Sequence, residues 1–199
     1  MTMPKTLMQM VGAPSTPPPL DASAVVMIDC QREYADGGLP LPGIAAALDE
    51  GARLLALARQ RGAPVIHVRH RGMPGGLFDP ESALFEICDV TAPAVGEAIV
   101  DKSKPNAFAE TDLAERVRAT GRDTLVIAGF MTHMCVSSTV RAALDQGFGC
   151  SVVGGACTTR DLPDGAGGVI RAADLHRAEL AALADRFAVI VDDASALTG

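Results

Sequence analysis

The sequence predicts an α/β protein built on a doubly wound, parallel β-sheet. Three observations lead to this prediction: six short apolar runs, helical patterns between them, and the absence of an internal repeat or linker. Most of the runs are continuously apolar rather than alternating, which is typical of parallel strands buried on both faces. A right-handed series of strand, helix and strand places helix layers on both sides of such a sheet.

The predicted strands are residues 24–28, 64–69, 98–100, 124–128, 150–153 and 188–191. The predicted helices lie between them, at residues 44–61, 110–120, 135–146 and 168–185. Two of these helices are followed by Gly121 and Gly147, and glycine is a common residue at a helix C-terminus. The segment 70–93 is too long for a simple connection, so we expect it to form a lid or a wall of a binding site.

The composition fits one folded domain. The chain has 199 residues, of which 48% are hydrophobic, and a formal net charge of −7. Such a chain buries a sizeable core and is not generally disordered. Its negative charge argues against nucleic acid as a partner, and without a run of 18 apolar residues we expect no membrane partner.

The chain is expected to divide into an arm and a single domain. Residues 1–21 form a Pro-rich N-terminal arm, expected to be mobile or to lie on a partner subunit, and residues 22–199 form the domain. Gln9 interrupts the apolar run near the N-terminus and only one positive charge precedes it, so we expect no export signal. The five cysteines show no C-x-x-C spacing, which predicts reduced thiols in a cytoplasmic protein.

Reactive residues follow three of the predicted strands. Asp29 follows the first strand, Lys102 the third, and Cys135 comes after the fourth, at the predicted start of a helix. Ligands of open parallel sheets bind beyond the carboxyl ends of the strands. A helix N-terminus and a nearby cation lower the pKa of a thiol, and a carboxylate shuttles its proton. The set predicts acyl transfer, although each residue alone also suits a structural role.

Three ordered blocks of the sequence resemble motifs of the isochorismatase-like cysteine hydrolases. They read IDCQREYADGGLPLPG, DKSKPNAFAETDL and AGFMTHMCVSSTVRAALDQGF, and the resemblance covers roughly residues 22–195. It implies a three-layer sandwich around a six-stranded parallel sheet, and a catalytic triad of Asp29, Lys102 and Cys135. Lys104 is the alternative for the lysine. The resemblance also implies a homo-oligomer, a dimer or a tetramer.

The resemblance implies further site residues around the triad. The peptide bond between Phe130 and Met131 is expected to be cis, and the backbone N–H groups of Met131 and Cys135 are expected to form an oxyanion hole. Five residues that flank the motifs are candidates for substrate binding, with packing as the alternative for each: Gln31, Tyr34, Phe108, Thr132 and His133.

Retention of Cys135 favours one reaction within the resembling family. Members that hydrolyse the vinyl ether of isochorismate commonly lack this thiol, whereas those that keep it cleave C–N bonds through a thioester. The resemblance therefore favours an amidohydrolase acting on a small carboxamide, ureido or related acyl compound. Two alternatives stay open: a thiol-independent isochorismate-type hydrolase, and a non-catalytic or redox-active protein on the same fold. No cofactor is expected.

The histidines do not predict a metal site. Nicotinamidases of this family bind a metal through an Asp-x-His pair after the second strand, and this chain has none there. We expect His67 to lie in the core, His70 to lie within reach of the substrate, and His176 to lie on the surface of the last helix. Cys30 is expected on the opposite face from Asp29, in the core.

Overall fold

The computed structural model describes residues 3–198 and contains a sheet of six parallel strands. These strands are β1 (Ala24–Ile28), β2 (Val65–His70), β3 (Ala98–Lys102), β4 (Thr124–Phe130), β5 (Gly149–Thr158) and β8 (Val189–Val191). Their order is β3-β2-β1-β4-β5-β8, so the winding direction reverses between β1 and β4. The predicted doubly wound α/β fold is thereby confirmed. A two-stranded antiparallel hairpin, β6 (Leu162–Pro163) and β7 (Val169–Ile170), lies outside this sheet.

In the described part of the chain, five α-helices accompany the strands: α1 (Leu7–Met10), α2 (Ile44–Arg61), α3 (Leu113–Ala119), α4 (Ser137–Asp145) and α5 (Ala172–Arg186). The bounds of α2 agree with the sequence prediction. Its last residue, Arg61, is followed by Gly62, which adopts the left-handed conformation that glycine tolerates without a steric penalty. No helix among residues 3–198 is long and apolar enough to cross a membrane.

Helices α3 and α5 begin later than the sequence predicts. The segment before α5 contains the β6–β7 hairpin, whose turn is closed by the Asp164 carboxylate accepting hydrogen bonds from the N–H groups of Ala166 and Gly168. The segment before α3 consists of turns, and Glu110 has a positive φ of 59° there. The sequence pattern placed both helix starts too early. The turns before these helices are held by local side-chain hydrogen bonds, which leave no trace in the apolar pattern.

The sheet separates two cores, as a three-layer sandwich requires. Val25 and Met27 of β1 face one core together with the buried side of α2, while Val26 and Ile28 face the other core. The second core is completed by α3, α4 and α5 through Leu113, Val117, Val140, Ala143 and Leu183. Every residue of β1 is buried, which explains why the strand reads as a continuous apolar run.

The two central strands approach each other closely at their carboxyl ends. Gly129 of β4 has φ +122°, and a Cβ atom there would lie 1.9 Å from the carbonyl oxygen of Ile28. Only glycine fits this position. The residue after Ile28 is Asp29, whose N–H donates to the carbonyl of Val68 at 2.9 Å. This close packing fixes the place where β1 ends, and with it the first candidate catalytic side chain.

The described part of the N-terminal arm lies against its own chain. Helix α1 begins with a capping box in which Thr6 and Gln9 bond each other's backbone N–H groups. The N–H of Leu7 donates to the Asp185 carboxylate at the end of α5, at 2.8 Å. Assignment of residues 1–21 as an arm separate from the domain stays a prediction, and residues 1, 2 and 199 lie outside the described residues.

Candidate active site

The ends of three parallel strands bring three reactive side chains together. Asp29 follows β1, Lys102 is the last residue of β3, and Cys135 follows β4. The Lys102 ammonium nitrogen lies 2.7 Å from the Asp29 Oδ2 atom and 3.3 Å from the Cys135 sulfur. Of the two lysines considered from the sequence, Lys104 is exposed, so Lys102 is the one that lies in this cluster.

Lys102 contacts a third group, the imidazole of His70 at the end of β2. Its ammonium nitrogen lies 3.0 Å from His70 Nδ1. An ammonium group has three protons to donate and accepts none. The carboxylate, the sulfur and the imidazole therefore account for all three protons, and the side chain of Lys102 is completely buried. Lys102 is a positive charge with a fixed position rather than a mobile surface group.

Asp29 faces this charge from an unusual backbone conformation. Its φ is +52°, in the left-handed region that Asp tolerates better than most residues. Apart from the ion pair with Lys102, its carboxylate accepts no hydrogen bond from the described residues. A buried carboxylate with free lone pairs beside a thiol is available to accept a proton.

Cys135 lies inside a π-helical turn, Thr132–Val136, and not at the first turn of α4 as the sequence predicts. The residue is only 4% exposed. Burial and the neighbouring Asp29 charge raise the pKa of the thiol to about 12, and Lys102 opposes them only in part. The expectation of a lowered thiol pKa is therefore wrong, because desolvation of the sulfur outweighs the nearby cation.

The peptide bond between Phe130 and Met131, which leads into this turn, is cis. The Met131 carbonyl then accepts hydrogen bonds from the N–H groups of Met134 and Val136 at 3.0 and 3.2 Å. The turn thus carries both residues whose N–H groups are the candidate oxyanion donors, Met131 and Cys135. That role of the two N–H groups stays a prediction.

Gln31 supports His70 through the backbone. The Gln31 side-chain oxygen accepts from the His70 N–H at 2.7 Å, and its nitrogen donates to the carbonyls of His70 and Phe85 at 3.0 and 2.8 Å. Gln31 is completely buried. Its amide is thus engaged by the protein itself, which fixes the end of β2.

Burial and the charge of Lys102 lower the pKa of His70, so this ring is neutral at pH 7.

Aromatic side chains close the site on one side. The Tyr34 ring lies edge-on to Phe78 and Phe130, with centroid distances of 5.0 and 5.9 Å, and Phe78 also contacts His70 at 5.2 Å. Phe78 belongs to the long segment after β2 that the sequence predicted as a lid or wall. Its N–H donates to the buried carboxylate of Glu33 at 3.2 Å. This contact holds the segment against Tyr34 and His70.

The other predicted substrate-binding residues differ in their surroundings. Thr132 is completely buried and shares a 2.8 Å hydrogen bond with His176. His133 is half-buried and bonds the Thr159 hydroxyl through Nδ1, while its Nε2 has no partner among the described residues. Phe108 is half-buried and stacks on Phe148 at 5.8 Å. The structure does not bring Phe108 into contact with the triad in any recorded interaction.

The structure also shows the surroundings of His67, Cys30 and His176. His67 is completely buried and bonds Glu97 at 2.9 Å, and Cys30 is buried in the core on the α2 side, as predicted. The expectation that His176 lies on the surface is wrong. Its ring is half-buried because α5 packs on the turn that carries Thr132.

Arg160 is a further candidate site residue, and it was not predicted from the sequence. It follows β5, is half-buried, and its Nε atom is buried with no partner among the described residues. Burial, Asp29 and Cys135 raise the pKa of Tyr34, and Arg160 is near enough to oppose them. The charge of Arg160 thus acts on Tyr34 and also on His133, two residues predicted to bind substrate. The fifth strand was predicted to end at residue 153, whereas β5 continues to Thr158, so the position of Arg160 just beyond a strand end was not visible in the sequence.

The triad region also contains atoms of the kinds that bind metals. Donor atoms of Asp29, His70 and Cys135 lie within 4.8 Å of one another. The Lys102 ammonium contacts all three side chains, so the positive charge that they face is that of a lysine. The sequence-based expectation of a metal-free site stays a prediction.

Comparison with known proteins identifies the family. A family model described as the isochorismatase domain matches residues 23–195. The secreted isochorismatase effector of Verticillium dahliae is 37% identical over 92% of this chain and 94% of that protein. The maleamate amidohydrolase of Pseudomonas putida is 35% identical over 65% of this chain and 69% of that protein. A crystal structure described as an isochorismatase from Pseudomonas putida KT2440 is 40% identical with a TM-score of 0.93, covering 98% of this chain and 100% of that one. The chain belongs to the isochorismatase family and is a hydrolase.

Proposed function

We propose that this hydrolase cleaves the C–N bond of a small amide or ureido compound through a thioester on Cys135. The observation that carries the proposal is the position of Lys102, which contacts the thiol sulfur at 3.3 Å and the Asp29 carboxylate at 2.7 Å. A nucleophile, a proton acceptor and a fixed positive charge thus share one buried cluster. These are the components that acyl transfer through a covalent intermediate requires.

The first half-reaction uses Asp29 as the base. Because the pKa of the Cys135 thiol is raised, the sulfur keeps its proton until a substrate carbonyl is in place. The proton then passes to Asp29 while the sulfur attacks the carbonyl carbon, and the carbonyl electron pair moves onto oxygen. The N–H groups of Met131 and Cys135 stabilise that oxyanion. Asp29 returns the proton to the nitrogen as the C–N bond breaks, which leaves a thioester and free ammonia or amine.

The second half-reaction uses the same groups on water. Asp29 takes a proton from water as its oxygen attacks the thioester carbonyl, and the collapse of the adduct breaks the C–S bond. The departing sulfur recovers the proton from Asp29, and a carboxylic acid is released. Lys102 stays charged throughout and stabilises negative charge on the sulfur in both halves.

We further propose that the substrate carries an acidic group. Arg160 supports this step because its charge acts on Tyr34 and His133, and its buried Nε atom has no partner among the described residues. Arginine is the preferred residue for binding a carboxylate through two parallel hydrogen bonds. The relative named maleamate amidohydrolase acts on an amide that bears a carboxylate. We propose that Tyr34 and His133 contact the same substrate, with Gln31 and Thr132 supporting them, whereas Phe108 stays a prediction from the sequence alone.

Loss of the thiol tests the reaction class. Ammonia release is measured from maleamate and from a panel of small carboxamides and N-carbamoyl amino acids. Cys135→Ala is expected to abolish turnover, and Cys150→Ala, which removes a buried cysteine outside the site, is expected to retain it. Full activity of Cys135→Ala would instead support thiol-independent hydrolysis. If the wild-type protein leaves the whole panel intact, amide hydrolysis is contradicted, and the thiol-independent isochorismate-type reaction is the next to be measured.

The cellular setting and assembly are also proposals. We propose a cytoplasmic homo-oligomer, a dimer or a tetramer, that acts on a small molecule without nucleic acid, membrane or cofactor. All five cysteines are free and buried, which fits a reducing compartment. The relative from Verticillium dahliae is described as secreted, so a localisation experiment with a fluorescent fusion is needed. Light scattering coupled to gel filtration gives the oligomeric state.

A further inference from the structure

Helix α5 holds the turn that carries the nucleophile at two points. His176 Nδ1 shares a hydrogen bond of 2.8 Å with the Thr132 hydroxyl. One helical turn further along, Glu179 accepts a hydrogen bond of 2.5 Å from the hydroxyl of Ser137. Thr132 and Ser137 lie on either side of Cys135, and residues three apart lie on one face of a helix. The two contacts therefore bracket the nucleophile.

The contact with Thr132 is the one nearest to the proposed oxyanion donors. Thr132 directly follows Met131 and is completely buried, and among residues 3–198 its hydroxyl bonds no side chain other than His176. Burial lowers the pKa of His176, so its ring is neutral at pH 7. A neutral imidazole bonds the hydroxyl without adding a charge to this buried contact.

We infer that His176 is a positioning residue for the oxyanion hole, acting through the Thr132 hydroxyl on the turn that carries the N–H groups of Met131 and Cys135. The inference rests on the proposed function. His176 touches neither the triad nor a reacting atom in any recorded contact, so its effect is confined to where the two N–H groups point. Reactions at Cys135 that develop an oxyanion need His176, and those that develop none do not.

Two small reagents distinguish reactions at Cys135 that form an oxyanion from those that do not, and neither requires the natural substrate. p-Nitrophenyl acetate acylates a thiol through a tetrahedral oxyanion and releases p-nitrophenolate, whereas iodoacetamide alkylates it by direct displacement of iodide. Both rates are measured at one pH on the full-length protein, with peptide mapping of the modified cysteine. His176→Leu is expected to slow acetylation of Cys135 by about 10- to 100-fold, as a misplacement of about 1 Å does. Its alkylation rate is expected to stay near that of the wild type.

Variants of the same pair strengthen the test. His176→Asn is expected to recover most of the acetylation rate, because its amide reaches the position of Nδ1. Thr132→Val is expected to match His176→Leu, and the double variant is expected to lose no more than either, since both remove one contact. Arg177→Ala, an exposed change on the same helix, is the control and is expected to behave as wild type.

The outcomes distinguish the inference from the proposed function. If wild-type Cys135 is not acetylated at all, the thioester mechanism fails. If it is acetylated and His176→Leu leaves that rate unchanged, or reduces acetylation and alkylation equally, the positioning role is overturned. Selective loss of acetylation, with recovery in His176→Asn, supports it.

Discussion

The ammonium nitrogen of Lys102 lies 3.3 Å from the sulfur of Cys135, yet the pKa of that thiol is raised to about 12. Burial of the sulfur is the largest cause, and the charge of Asp29 is the next. Lys102 opposes both but does not outweigh them. In the proposed mechanism the resting nucleophile is therefore a thiol, and proton transfer to Asp29 accompanies attack on the substrate.

Asp29→Asn is expected to have opposite effects on thiol acidity and on turnover. Removing the carboxylate charge lowers the pKa of Cys135, so iodoacetamide alkylation accelerates at a fixed pH near neutrality. Loss of the base reduces amide turnover by about 10²- to 10⁴-fold. Asp101→Asn, an exposed change on β3, serves as the control. Faster turnover in Asp29→Asn, or an unchanged alkylation profile, would contradict the role assigned to Asp29.

Lys102→Met is expected to raise the thiol pKa further and to destabilise the fold. The substitution leaves the Asp29 carboxylate buried without its ion-pair partner, which costs about 3–5 kcal/mol. Urea denaturation measures this loss, and Lys104→Met, at an exposed position, is expected to show none. The double variant Asp29→Asn, Lys102→Met is expected to lose less than the sum of the single variants. Strict additivity would show that the two side chains do not interact.

Activity is expected to fall on the acid side as His70 becomes protonated. His70 accepts a hydrogen bond from Lys102 through Nδ1, and a protonated ring cannot accept one. Burial, followed by the Lys102 charge, lowers the pKa of His70, although Asp29 acts in the opposite direction. The loss therefore begins below the ordinary histidine pKa of about 6.5, and activity is retained above it. A kcat/KM profile measures this, and His70→Asn, which accepts without titrating, should remove that limb. Persistence of the same limb in His70→Asn would assign it to another group.

Arg160→Met is expected to separate acidic from neutral substrates. Loss of a charge-assisted contact with a carboxylate costs about 1.5–3 kcal/mol, so KM for an acidic amide should rise by about 10- to 100-fold. KM for a neutral amide of similar size should change little. The comparison uses maleamate and a matched neutral carboxamide. An equal effect on both substrates would place Arg160 in a structural role rather than in substrate recognition.

The fold and the three clustered residues were predictable from the sequence for physical reasons. Continuous apolar strands such as β1 signal burial on both faces, and residues that directly follow parallel strands must meet at one edge of the sheet. This reasoning brought Asp29, Lys102 and Cys135 together before any distance was known. The three motif blocks then suggested which of two nearby lysines belongs to the cluster.

Other features depend on contacts between distant segments, which no local pattern encodes. The raised pKa of Cys135 follows from how completely the surrounding elements bury the sulfur. The sequence indicated only a nearby helix start and a nearby lysine, both of which lower a thiol pKa. His176 was expected on the surface because α5 shows an ordinary helical pattern, and only the packing of α5 on the nucleophile turn gives it a partner. The β6–β7 hairpin is held by an aspartate turn that carries no apolar signal.

Trapping the acyl-enzyme tests the central claim most directly. A turning-over mixture of enzyme and an amide that it cleaves is quenched in acid, and the intact mass and the peptide map are recorded. The account predicts the substrate's acyl group on Cys135 in the wild-type protein and on no other cysteine. It predicts neither adduct nor turnover in Cys135→Ala. Continued turnover by Cys135→Ala, with no acyl group on the wild-type thiol, would contradict the thioester mechanism.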